Sequence, residues 1–121
     1  MGNTTNSKGK MGIMIVSKDE QRVKVALSLA LHIQEAPEQD GVSHLEVYLF
    51  AEATDLIDHA SDEIKQMISE LISRGVMVGA CKNLVDAYHV HEKAIALNLQ
   101  VSGANATLGR WANEHYVTLS F

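Results

Sequence analysis

The sequence predicts an α/β fold, a three-layer α/β/α sandwich built around a mainly parallel sheet. Two observations carry this. Short apolar runs that do not alternate, such as "MGIMIV" and "VMVGA", read as strands buried on both faces. Segments with apolar residues at helical spacing separate them, so strands and helices alternate along the chain. That order calls for parallel pairing with right-handed crossovers and helices on both faces of the sheet. The 121 residues, 46% hydrophobic and 21% charged, suit one compact domain with one sizeable core.

"MGNTTNSKGK" is polar and aperiodic, which predicts a disordered leader over residues 1–10 and a single domain over 11–121. "MGIMIV" is the first strand. Asp19 and Glu20 suit the first turn of a helix running to about Ala36, with Val23, Ala26, Leu27, Ala30, Leu31 and Ile33 as its wide apolar face. Pro37 and Gly41 break the chain into a loop before the second strand, "HLEVYLFA". In "IKQMISELI", Ile64, Met67, Ile68, Leu71 and Ile72 follow the amphipathic helical pattern. Gly75 stands where that helix would be capped. "VMVGA" is the third strand. One helix is expected from about Asn83 to Asn98, with Leu84, Ala87, Tyr88, His91, Ala94 and Ile95 on one face. "LQVSG" reads as a short strand, and Asn105 as the cap of a last helix carrying Leu108 and Trp111. "HYVTLSF" closes the chain with Val117, Leu119 and Phe121 alternating against Tyr116, Thr118 and Ser120. This implies one drier and one wetter face and places the strand at a sheet edge or under thin cover.

A net charge of −5 argues against nucleic acid and anionic membranes as main partners. No apolar run approaches the roughly 20 residues of a membrane span. "MGIMIV" is too short for the core of a signal peptide, and Asn6 disfavours myristoylation at Gly2. The single cysteine, Cys81, allows no intrachain disulfide and fits a reducing compartment, so the expected location is cytoplasmic.

In parallel sheets the carboxyl ends of the strands carry ligands and chemistry. Ser17, Glu52, Cys81 and Gly103 all follow strands and belong to that edge. Several chemistries fail on specific positions. The first strand is followed by "SKDEQR", not a dinucleotide-binding GxGxxG, and no GxxxxGK[ST] exists. Cys81 stands where a receiver domain would hold its phosphoacceptor aspartate. Ala87 stands where a cysteine phosphatase needs arginine, and Leu84 where a CxxC pair needs its second thiol. His89 and His91, two apart on a helix, point about 200° apart and cannot chelate one ion. His91 reads as a partly buried packing residue, and His32, His44, His59 and His115 are scattered singly. No metal or cofactor is expected.

Two readings of Cys81 stay open on local chemistry. Free cysteine is often a buried small hydrophobe at a strand end. Alternatively, the following helix would direct its positive end at the sulfur, Lys82 would add a cation, and Asn83 would cap the helix or donate a hydrogen bond. Each favours the thiolate and at least partial access. Glu52 would oppose it if brought near.

The order of "IMIVSKDEQRVKVALSLALHI", "VYLFAEA", the strand running into "ACKN", "VSGA" and "HYVTLSF" resembles the DsrE/DsrF-like family of small sulfur-relay proteins. The resemblance covers nearly the whole chain beyond the leader. It implies a five-stranded sheet with "LQVSG" as the fourth strand, and homo-oligomers, commonly trimers or hexamers. It also implies that Cys81, at the matching position, accepts sulfane sulfur as a persulfide and passes it to a partner. Sulfur donor and acceptor proteins would then be its partners, and Lys82 and Asn83 would support the thiol. The absence of a second cysteine suits discharge to a partner. "KNLVDAYHVHEKA" departs from the resemblance in being more polar and richer in histidine. The competing expectation is a non-catalytic oligomeric or small-ligand-binding module with an inert, buried Cys81.

Overall fold

The structure, a computed structural model, describes residues 8–37 and 39–121. Its elements run β1 (Lys10–Ile15), α1 (Glu20–Glu35), β2 (His44–Leu49), a 3-10 turn (Ala51–Asp55), α2 (Leu56–His59), α3 (Asp62–Ser73) and β3 (Met77–Cys81). They continue with α4 (Lys82–Ala87), α5 (His91–Ala96), β4 (Gln100–Ser102), α6 (Ala104–Asn113) and β5 (Tyr116–Ser120). The five strands form one sheet in the order β4-β3-β2-β1-β5, and every pairing is parallel. The α/β class and the expected neighbours β1, β2 and β3 are therefore present. Residues 1–7 of the expected leader lie outside the described residues. Its boundary moves, however: Lys10 is already in β1, and the Ser43 N–H donates to the Gly9 carbonyl at 2.8 Å.

The two long helices form where their caps and apolar stripes agree. Asp19 caps α1, its carboxylate accepting from the Arg22 N–H at 3.0 Å. Ser61 caps α3 by accepting from the Ile64 N–H at 3.3 Å, while the Ser61 N–H donates to Glu20 at 3.2 Å and ties the two helix starts together. Val23, Ala26, Leu27 and Ala30 of α1 and Ile64, Ile68 and Leu71 of α3 are buried in the main core against Ile13, Ile15, Val47, Leu49, Val78 and Ala80. At the end of α3, Gly75 takes φ 87. Its N–H and that of Val76 donate to Ile72 and Leu71, closing the helix as its position in the sequence predicts.

Crossover handedness distributes the helices. The connections from β1 to β4 all step the same way across the sheet and lie on one face, over the main core. The return from β4 to β5 steps the other way, past three strands, and carries α6 to the opposite face. There a smaller core of Tyr48, Cys81 and Trp111 lies beneath it, edged by Met14, Phe50, Leu84, Ala104, Leu108 and Tyr116.

Three expectations are corrected. The single helix over Asn83–Asn98 is two short helices, because His89 takes φ 58 and the N–H groups of His89 and Val90 donate back to Asp86 and Val85. Val90 and Val85 are both buried, so the turn inserts an apolar residue into the core and resets the helical phase. His91 is consequently exposed rather than packed, as are Tyr88 and Ile95. Gly103, not Asn105, is the N-cap position of α6. β5 lies at the edge of the sheet as expected, but its apolar residues do not form its drier face. Val117 is 59% and Leu119 37% exposed, whereas Tyr116 is half-buried. The reason is the winding: α6 covers Tyr116, whereas the face bearing Val117 and Leu119 lies at the uncovered margin of the sheet.

Candidate functional site

All strands run the same way, so the residues after them share one edge: Ser17, Glu52, Cys81 and Gly103 lie there as the alternation predicts. β3 and β4 are the neighbouring strands whose following helices leave to opposite faces, α4 to one and α6 to the other. The winding of the sheet reverses between them, and in open α/β sheets ligands bind at the carboxyl ends of the strands at such a point. Cys81 is the last residue of β3 and pairs in register with Ser102, the last residue of β4.

Cys81 is 4% exposed, against the expectation of partial access. Its side chain lies on the α6 face of the sheet, in the small core with Tyr48 and Trp111. Tyr48 reaches it because β3 offers no obstacle. Tyr48 pairs with Gly79, and a Cβ there would lie 3.0 Å from the Tyr48 ring. The ring passes over the glycine, and its hydroxyl donates to the Ser102 carbonyl at 2.8 Å. Burial first, and the neighbouring Cys81 sulfur second, push the phenol up to about 12, so at neutral pH it is a proton donor. The Ser102 and Thr107 hydroxyls lie 2.9 Å apart beside it, and Thr107 is buried. The thiol is thus packed among apolar side chains with one polar corner, built from β2, β4 and α6.

The two supporting residues are not in that corner. Lys82 is exposed, with its ammonium 3.0 Å from Asp86 one turn along α4, so its charge is engaged away from the sulfur. Asn83 is exposed and does not cap α4, because Cys81 itself is the N-cap residue and makes no side-chain cap bond. Glu52 is exposed on the 3-10 turn, and no bond to Cys81 appears among the described residues. His89 and His91 line a shallow cleft with Asp86 and Glu92. Among the described residues no group of three or more His, Cys, Asp or Glu is placed to hold a metal.

A second cluster, on the same face nearer the amino ends of the strands, was not evident in the sequence. The Glu46 carboxylate, 8% exposed, accepts two bonds from Arg110 at 2.6 and 2.8 Å, one from the Trp111 indole at 2.9 Å and one from the Tyr116 hydroxyl at 2.9 Å. Burial pushes the Glu46 carboxyl up, but these donors, Arg110 foremost, hold it below its usual value. Arg110 rises in turn, mainly through its bonds to Glu46. Tyr116 is raised by burial and then by Glu46. The signal available in the sequence was a carboxylate inside "HLEVYLF", a strand otherwise apolar enough to be buried. Its partners lie 64 to 70 residues away and could not be named.

No family model and no curated protein matches the chain. Solved structures do. One is a conserved protein of unknown function from Bacteroides thetaiotaomicron, similar over 100% of both chains with TM-score 0.79 and 16% identity. A second, a protein of unknown function from Methanobacterium thermoautotrophicum, is similar over 93% of this chain and 99% of its own, with TM-score 0.77 and 20% identity. The ychN protein from E. coli covers the same shares with TM-score 0.70 and 17% identity. At these identities the likeness is one of fold.

Proposed function

We propose that this chain is a DsrE-like persulfide carrier that takes sulfane sulfur on Cys81 and hands it to a partner protein. The observation that carries the reading is the position of Cys81. The only thiol lies at the carboxyl edge, in register with Ser102 where the sheet changes winding, with a protonated phenol beside it. In the proposed step the Cys81 thiolate attacks the outer sulfur of a donor persulfide. A sulfur–sulfur bond to Cys81 forms as the donor's own breaks, and the donor leaves as a thiolate with the electron pair. No external oxidant is needed. Discharge is the same exchange in reverse sense, with the acceptor as nucleophile and Cys81 as leaving group. In the resting structure the one Tyr48 proton is held by the Ser102 carbonyl, so Tyr48 would donate to the anionic sulfur only by turning away from that carbonyl.

The carrier reading includes a reducing, cytoplasmic setting and self-association into a trimer or hexamer. Exposed Val117, Leu119 and Val25 leave apolar surface for such contacts. Light scattering of the purified chain tests the assembly, and a monomer at micromolar concentration would remove it.

A second reading has a specific observation in its favour. Cys81 is 4% exposed, which suits an inert core thiol in a binding or structural module. Exposure of the folded protein to polysulfide separates the two. The carrier gains sulfur at Cys81, and the core thiol gains none until the protein is denatured.

A further inference from the structure

We propose that α6 is a gate over Cys81, latched by the Glu46 cluster, and that it opens while the rest of the fold stays closed. This rests on the carrier reading and supplies the access that a buried thiol requires. The helix spans both clusters. Its first turns place Ala104, Thr107 and Leu108 over the packed Tyr48–Cys81 pair, and its later residues Arg110 and Trp111 hold the Glu46 carboxylate. α6 is the helix that covers this face. Among the described residues the small core has three buried apolar side chains, Tyr48, Cys81 and Trp111, whereas the opposite face holds the extensive core of α1, α3 and the central strands. An element with few buried apolar contacts opens at a lower free energy than the domain unfolds. What offsets that deficit is polar: a bidentate arginine on a carboxylate, joined by the Trp111 indole. Trp111 is also seated close against the backbone of β1, since a Cβ at Gly12 would fall 2.6 Å from its ring. When α6 lifts, Cys81 and the Tyr48 hydroxyl are uncovered together.

The experiment is alkylation of the whole chain with iodoacetamide, followed by mass spectrometry across a series of denaturant concentrations below the unfolding transition. The gate predicts that Cys81 reacts through an opening whose denaturant dependence is distinctly shallower than that of global unfolding. Arg110→Gln should speed the reaction about tenfold or more, because a charge-assisted bond is lost. Arg110→Lys, which keeps the charge but not the fork, should fall between them. Amide protection in α1 and α3 should be retained in both variants. Alkylation with the full denaturant dependence of global unfolding would overturn the proposal in the wild-type chain alone, whatever the variants do. So would variants no faster than wild type. The outcome is independent of sulfur loading: a gated thiol that takes no polysulfide sulfur keeps the gate and ends the carrier.

Discussion

Tyr48 lies across Gly79 with its hydroxyl on the Ser102 carbonyl, and it is held protonated well beyond the ordinary phenol range. A folded pKa of about 12 against about 10 unfolded means that the fold gains stability from the neutral phenol below pH about 10. That contribution is lost as pH climbs towards about 12. Denaturant melts between pH 9 and 12 should show this loss, and Tyr48→Phe should reduce it while costing about 0.5–1.5 kcal/mol at neutral pH for the missing bond. Glu46 works with the opposite sign. Its carboxyl is held below the usual value, so its contribution is complete above the unfolded pKa of about 4.3 and disappears as pH falls through the folded one. Glu46→Gln should flatten the acid limb of a stability–pH curve. An unchanged limb would mean that the four donors around Glu46 do not favour its charged form.

At the scale of elements, α6 is the piece whose docking can be tested by volume alone. Gly12→Ala would drive a methyl group into the Trp111 ring and should cost about 1–3 kcal/mol. Gly109→Ala, within α6 and with nothing within 4 Å of its added Cβ, should stabilise by up to about 1 kcal/mol through helix propensity. Urea midpoints moving in opposite directions would establish the seating of the helix; midpoints moving the same way would contradict it. For α3, Ser61→Ala should lower stability by about 1 kcal/mol through loss of its cap bond to Ile64. The long helices were legible because capping residue and apolar period agree in each. The split between α4 and α5 was not. It is closed by His89 in a left-handed conformation, a geometry that His adopts much less readily than Gly, and the buried Val90 that fixes it reads in sequence as one more helical residue.

Across the whole molecule, the alternation of strands and helices made the parallel sheet and its carboxyl edge readable, and with them the position of Cys81. The burial of Cys81 was not readable, because it depends on which face α6 returns across. That is set by β5 pairing with β1, a contact between the two ends of the chain. Lys82 and Asn83, next to Cys81 in sequence, face solvent because α4 leaves to the other face of the sheet and buries Val85 there. Tyr48, Ser102 and Thr107, distant in sequence, make its polar corner. Function as a carrier therefore turns on one sulfur atom. Its most direct test is the intact mass of the folded chain after incubation with polysulfide, wild type beside Cys81→Ala. Addition of sulfur to the wild type, removable by a thiol reductant and absent from Cys81→Ala, is the predicted result. A wild-type mass that stays unchanged until the protein is denatured would contradict the carrier.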